Sequence, residues 1–421
     1  MRILLIHNSY QKKGGEDALF AVEQEMLRAY GHQTVTYIRS NDDIELFNSW
    51  RRLRLPVETV WASESYTDVL RICQTSKPEI AILFNTFPLV SPAVIYACRR
   101  AGVPVLQHFQ NYRLVCSAGT LFRDGGICQE CVDHGLWRGI WHGCYRESRV
   151  ATAAVAAHLA FHRAVGTWSK HVNGFLAPSR FILEFAVRAG IERHNIYLKP
   201  NCLAIDPGGK DGWEEYALYA GRLSPEKGLW TLLKAWCELQ EPIRLYIAGD
   251  GPLRPHLEEF VKHKGLNCVK FLGNLSRDDV LNKTRNAKLC IIPTECFEGF
   301  PMAVIEALAC SAPIVASEIG ALRELISEGQ TGFFFPVNDC MRLAKLVRRL
   351  WHSPGLLLRV SAQARKEYQT KYTGEQSHRR LMEICDDVIA ATSRQQTTIP
   401  NRSHRLSWAG RPAPKHRGGR G

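Results

Sequence analysis

Two doubly wound α/β units facing a central cleft are predicted by three features of this sequence. Strand-like and helix-like segments alternate along most of it, the alternation restarts near the middle, and a stretch rich in Pro and Gly divides the halves. The length agrees, because 421 residues exceed one ordinary core and suit two. Apolar residues at 45% and charged residues at 23% belong to a globular chain, which excludes disordered and fibrous classes.

The first unit opens with Arg2–His7, read as a buried parallel strand. The Gly14-Gly15 loop follows it, and Glu16–Tyr30 carries apolar residues at helical spacing until Gly31. Further strands are expected at Thr34–Ile38, Ile80–Phe84, Val103–His108 and Gly174–Ala177, with helices such as Pro92–Ala101 between them. Lys199–Gly212 reads as the hinge, so the first domain is placed at 1–200 and the second at 201–367. The second unit repeats the pattern with strands at Ala217–Ala220, Ile243–Ala248, Val269–Leu272, Leu289–Ile292 and Pro313–Ala316, and helices such as Leu229–Glu238. Sheets of this kind bind ligands at the carboxyl ends of their strands, which puts a site where the units face each other.

No window is long and apolar enough for a spanning helix, and the start turns polar after Ile6, unlike a signal peptide. A cytoplasmic protein with reduced thiols is therefore expected, although it has 14 cysteines. Net charge is +13, and six of the Lys and Arg sit in an acid-free segment, 395–421, that reads as a disordered tail. The positive excess that remains favours phosphate groups, acidic lipid surfaces or nucleic acid. Aromatic and basic residues mix at Trp50-Arg51-Arg52-Leu53-Arg54 and at Trp137-Arg138-Gly139-Ile140-Trp141, two patches suited to peripheral contact with an anionic membrane face or to plain solvent.

The densest chemistry runs from Pro293 to Ala309. A strand ends near Pro293, a glycine turn follows, and Pro301 sits where a first helical residue would. The amides of Gly299 and Phe300 then face an anion site at the positive end of the helix. Glu298 lies on that turn and Glu306 about two helical turns further on, so that the two carboxylates can grip sugar hydroxyls on either side of a diphosphate. Upstream, Gly221 allows close approach, while Arg222 and Lys227 lie five apart on a strand-to-helix loop and can clamp phosphates.

This stretch resembles family 4 of the retaining glycosyltransferases, whose signature is a Glu, seven residues and a second Glu, here Glu298 and Glu306 followed by Ala-Leu-Ala-Cys-Ser-Ala-Pro-Ile-Val-Ala-Ser. The resemblance implies a GT-B architecture, with a late helix around Tyr368 to Ala391 (368–394 at most) returning onto the first domain. It implies that Glu298 contacts the donor sugar, that Glu306 holds the ribose, and that Arg222 and Lys227 hold the phosphates. The Gly249 and Asn274 loops are expected near the base, and the loop containing Gly15 near the phosphates or the acceptor. Members often carry His where this chain has Gln110, with His108 two residues earlier as a second candidate. The implied donor is a UDP- or GDP-sugar, the acceptor a glycan or lipid-linked oligosaccharide, and the reaction retaining and metal-independent. An epimerase of the same fold is the nearest rival reading.

Cys116, Cys128, Cys131 and Cys144 have Cys-x11-Cys-x2-Cys-x12-Cys spacing, which suits a structural zinc ion; free thiols are the alternative. Together with the basic tail they offer a second rival, a zinc-dependent nucleic-acid-binding protein, although that reading leaves the glutamates and cations unused and no nucleic acid is expected. His158 and His162, four apart on an Ala-rich helix without an acidic third ligand, are read as core or surface residues.

Overall fold

The computed structural model describes residues 1–11, 14–210 and 212–398, with side chains to residue 394. The chain runs through β1 (Arg2–Ser9), β2 (Gln33–Ser40), β3 (Ile80–Leu83), β4 (Val105–His108), β5 (Phe122–Arg123), β6 (Gly126–Ile127), β7 (Gly174–Ala177) and β8 (Ile196–Leu198). Apart from the small β5–β6 hairpin, these form one parallel sheet in the order β2-β1-β3-β4-β7-β8. The second half supplies β9 (Glu214–Ala220), β10 (Leu245–Ala248), β11 (Val269–Gly273), β12 (Ala287–Ile292), β13 (Ile314–Ser317) and β14 (Gly332–Phe335), ordered β11-β10-β9-β12-β13-β14.

Side-chain alternation explains why β1 is apolar throughout. Leu4 and Ile6 enter one core with Val94 and Phe175, whereas Ile3 and Leu5 enter the opposite one with Leu19, Met26 and Leu27. That second layer is completed from far away by Leu381, Ile384, Cys385 and Val388 of the final helix, Gly374–Thr398. The expected single helix from Tyr368 to Ala391 is thus two. Tyr368 belongs to Pro354–Lys371 and packs in the second domain, and the chain breaks before Gly374 to cross over. Of the tail expected from 395, the first four residues continue this helix, and 399–421 lie outside the described residues.

Strand order reverses between β1 and β3 in one sheet and between β9 and β12 in the other. Those switch points open crevices at the carboxyl ends of the strands. The domains meet there: Ser179 Oγ donates to the Gly299 carbonyl at 2.8 Å, and Phe181 packs against Phe297 with ring centroids 5.0 Å apart. Glu324 accepts from the Arg180 and Phe181 amides at the start of helix Arg180–Arg188. β8 and β14 were not expected, since three or four residues are too short for a period to show.

Candidate active site

Two adjoining hollows occupy the crevice. One, of about 600 Å³, is walled by the β1 loop, Gln110 and Asn201 from the first domain and by Arg222, Lys227, Glu298 and Glu306 from the second. The other, of about 800 Å³, extends over Gly249, Asp250, Asn274 and Leu275 and shares Gly221, Arg222 and Glu306 with the first.

Backbone geometry brings the loops of the second domain this close. Gly228 has φ +69°, and a Cβ there would stand 1.8 Å from the Pro293 carbonyl oxygen, so only glycine lets the Lys227 loop lie on the end of β12. The Glu295 amide then donates to the Glu226 carbonyl at 2.9 Å, fastening loop to strand. At Gly249, φ is +129° and a Cβ would meet the Gly221 oxygen at 2.0 Å, which seats the β10 loop on the β9 loop. Tyr219 OH donates to the Arg222 carbonyl at 2.8 Å and shapes that turn.

Lys227 Nζ donates to Glu298 Oε1, and Thr294 Oγ1 donates to the same oxygen at 3.2 Å. Burial alone would weaken the charge on Lys227, yet the Glu298 carboxylate and then Cys296 hold its ammonium well above the usual lysine range. Arg222 is exposed at the junction of the hollows, and its guanidinium has neither hydrogen bond nor salt bridge among the described residues. Glu306 is likewise unpaired and lines both hollows; burial raises its carboxyl above the ordinary value, with distant Arg277 opposing. Helix Met302–Ala309 begins one residue later than expected, Pro301 being its N-cap, so the first-turn amides that front the hollow are those of Met302 and Ala303. Gly299, Phe300 and Pro301 line the same wall.

The opposite wall is made differently. β4 ends at His108, so the shared-face argument fails: His108 is buried behind Gln110 and Gln110 alone reaches the larger crevice. Glu23, whose carboxylate burial would raise, is pulled down to about 2 by Lys199 and His108. Lys199 Nζ donates to Glu23 Oε2 at 2.8 Å, and His108 Nε2 stands 3.3 Å from Oε1. An ionised carboxylate only accepts, so Nε2 carries the proton and Nδ1 accepts from Gln110 Nε2 at 3.2 Å. Gln110 and Asn201 then exchange two amide hydrogen bonds of 3.2 Å each. One acceptor position on Gln110 and one N–H on Asn201 remain for a ligand.

Gly15 opens helix Gly15–Ala29 and lines the crevice with Gly14 and Glu16. Asp17 holds this loop in place, accepting from the Tyr10 and Gly14 amides at 3.1 and 2.8 Å. Sequence reasoning did not single out Asn201, Glu16, Glu23, Lys199 or Thr294. An acidic residue on the apolar face of a helix and a Lys next to Pro200 were the available signals for the buried Glu23–Lys199 pair.

The excursion between β4 and helix Arg149–Ala164 holds the four cysteines. Among the described residues no three His, Cys, Asp or Glu side chains are grouped so as to hold a metal ion. Cys116 is instead hydrogen-bonded to Cys131, which lowers the Cys116 thiol against the effect of burial, while Cys131 is raised by the same bond. His162, as expected, is a core residue: Nδ1 meets Thr167 Oγ1 at 2.8 Å and Nε2 the Val60 carbonyl at 2.9 Å. His158 is buried beside it.

Known proteins resemble this chain in sequence and in fold. Residues 204–367 match the family model Glycosyl transferases group 1. An uncharacterized glycosyltransferase of Methanocaldococcus jannaschii is 28% identical over 165 residues, 39% of this chain and 46% of that protein. The alpha-D-kanosaminyltransferase of Streptomyces kanamyceticus is 31% identical over 160 residues, 37% of this chain and 41% of that protein. The chain thus spans less than half the length of these curated relatives. Over nearly the whole molecule, the crystal structure of HepE of Anabaena in complex with UDP and glucose superposes with a TM-score of 0.65 at 16% identity, covering 92% of this chain and 100% of that one. The chain therefore has the two-domain GT-B fold, and its residues 204–367 are similar to the group 1 glycosyl transferases.

Proposed function

We propose that this protein transfers a sugar from a nucleotide diphosphate donor to a hydroxyl group of a glycan or lipid-linked acceptor, in the assembly of a polysaccharide. The observation that carries this reading is the meeting of unpaired Arg222, Lys227, the Met302 and Ala303 amides and two carboxylates on one crevice. Cations and amides take the diphosphate, Glu306 takes the ribose hydroxyls, and Glu298 takes the sugar. Gly249 and Asn274 border the part of the hollow left for the base. A uridine donor is favoured by the UDP bound to the similarly folded HepE.

In the step itself, the bond between the anomeric carbon and the phosphate oxygen breaks and its electron pair stays on the phosphate. Arg222 and Lys227 bind that growing charge more strongly than the intact donor, which lowers the barrier. The acceptor oxygen bonds to the anomeric carbon from the face the phosphate leaves, and its proton passes to the departing phosphate, so configuration is retained. These cations and amides supply the charge that a divalent ion gives elsewhere. Gln110 and Asn201 orient a hydroxyl group across the crevice. The test is a thermal-shift panel of UDP- and GDP-sugars: a bound donor at a hundred times its Kd adds about 2.7 kcal/mol of stability. No shift with any sugar nucleotide overturns the reading, and conversion of the donor without acceptor would favour the epimerase.

A further inference from the structure

Helix Arg149–Ala164 turns apolar groups outward as well as inward. Its inner arc, formed by Thr152, Val155, Ala156, His158, Leu159 and His162, is buried. Its outer arc carries Val150, Ala153, Ala154, Ala157, Ala160, Phe161 and Ala164, with no polar side chain at any of these positions, and Val150 and Phe161 are 83% and 49% exposed. At 100° per residue those seven positions fall within about a third of the helix circumference. A water-facing helix normally turns charges outward, and one apolar all round is a helix with a second apolar neighbour.

Two helices packed on it expose apolar groups as well. Helix Ser49–Val60 packs on helix Arg149–Ala164, pinned by the His162 hydrogen bond to the Val60 carbonyl, and turns Trp50, Leu53 and Val57 outward at 78%, 73% and 69% exposure. Helix Trp137–His142 packs on it too and exposes Trp137 and Trp141. Cations edge the surface: Arg52, Arg54, Arg146 and Arg149 are exposed, and the guanidinium of Arg138 lies 4.6 Å from the Trp137 ring centroid.

We infer that these three helices form a face that lies on an anionic lipid bilayer. Apolar groups wide enough to enter the acyl boundary, tryptophans at headgroup depth and arginines for the phosphates are what such a surface requires. The occupant is a bilayer rather than a protein groove because the apolar groups spread over three helices and those helices carry six arginines against one acid, Glu58. The inner arc of helix Arg149–Ala164 gives the face its purpose: His158 and Leu159 line a small cavity together with His108, Gln110 and Asn111. One helix thickness separates the face from this small cavity, which shares Glu16 and Gln110 with the crevice, so an acceptor carried on a lipid is held beside the first-domain wall. The docking face stands without the glycosyltransferase reading; only the delivery of an acceptor rests on it.

The test is flotation of the full chain with phosphatidylcholine vesicles, with and without phosphatidylglycerol. Binding to the anionic vesicles, weakened by salt, is expected. The triple variant Trp50→Ser, Leu53→Ser, Val57→Ser and the double variant Val150→Ser, Phe161→Ser should each weaken it tenfold or more, and Arg52→Gln with Arg54→Gln should remove most of the preference for anionic lipid. The basic segment 399–421 is common to all of them, so a difference reports on the helices. Unchanged unfolding midpoints and circular dichroism of the variants show that the fold is intact, and this control holds whatever the fate of the functional reading. No binding to anionic vesicles, equal binding by wild type and variants, or a concentration-dependent dimer abolished by the same substitutions overturns the inference.

Discussion

The two walls of the crevice come from the same kind of sheet and use their polar groups in opposite ways. On the first-domain wall, Glu23, Lys199, His108, Gln110 and Asn201 bond to one another in a chain that ends at the hollow. On the second-domain wall, Arg222 and Glu306 stand without hydrogen-bond or salt-bridge partners among the described residues, and Lys227 and Glu298 have mainly each other. One wall is satisfied before a ligand arrives and presents a fixed shape, whereas the other holds charge in reserve for a ligand that brings its own. Stability and turnover should therefore be separable by wall.

The sharpest break of this contrast lies in the first wall. Glu23→Ala leaves the Lys199 ammonium buried without its partner, and removal of one member of a buried pair costs about 3–5 kcal/mol, measurable by denaturant unfolding. The pH dependence has a defined sign: because the folded carboxyl is held near 2, its contribution is complete above the ordinary carboxylate range and is lost as pH falls toward about 2. The variant should lose that part of the acid sensitivity. An unchanged acid limb would show that the pair contributes nothing to stability.

On the second wall, Arg222→Ala or Lys227→Ala should lower kcat by about 10²–10³-fold, by analogy with deletion of an oxyanion donor, and leave the unfolding midpoint nearly unmoved for exposed Arg222. A large loss of stability with Arg222→Ala would erase the distinction between the walls. Smaller in effect, Glu306→Ala should weaken donor binding by about tenfold, the worth of roughly 1.4 kcal/mol of hydroxyl contacts. Since burial raises the Glu306 carboxyl, donor affinity of the wild type should begin to fall at a higher pH than an ordinary carboxylate would give as the solution is acidified, and Glu306→Ala should flatten that limb. Calorimetry across pH checks it. At the small end, EDTA should leave turnover unchanged, because the charge on the diphosphate is met by side chains and amides.

The reach of sequence reasoning differed between the walls for a physical reason. Glu298, Glu306, Arg222 and Lys227 act from one contiguous domain, at turns whose glycines and prolines are visible as local punctuation. The chain that supports Gln110 joins residues from three distant stretches, and nothing local ties Glu23 to Lys199 or Asn201 to Gln110. His108 shows the limit well: a two-residue period placed it beside Gln110, but the strand stopped at 108 and the ring turned inward toward Glu23. The apolar outer arc of helix Arg149–Ala164 was equally hidden, since an Ala-rich run does not reveal which of its sides faces solvent.

What the amino-acid order settled alone was the alternation of strands and helices and the loops where charge concentrates, because periodicity, turn residues and signature spacing are short-range properties. Tertiary structure decided which of those charges stay free, that Cys116 meets Cys131, and that the final helix completes the core of a domain begun almost four hundred residues earlier. Those outcomes depend on which surfaces meet, and burial and pairing exist only once they have met.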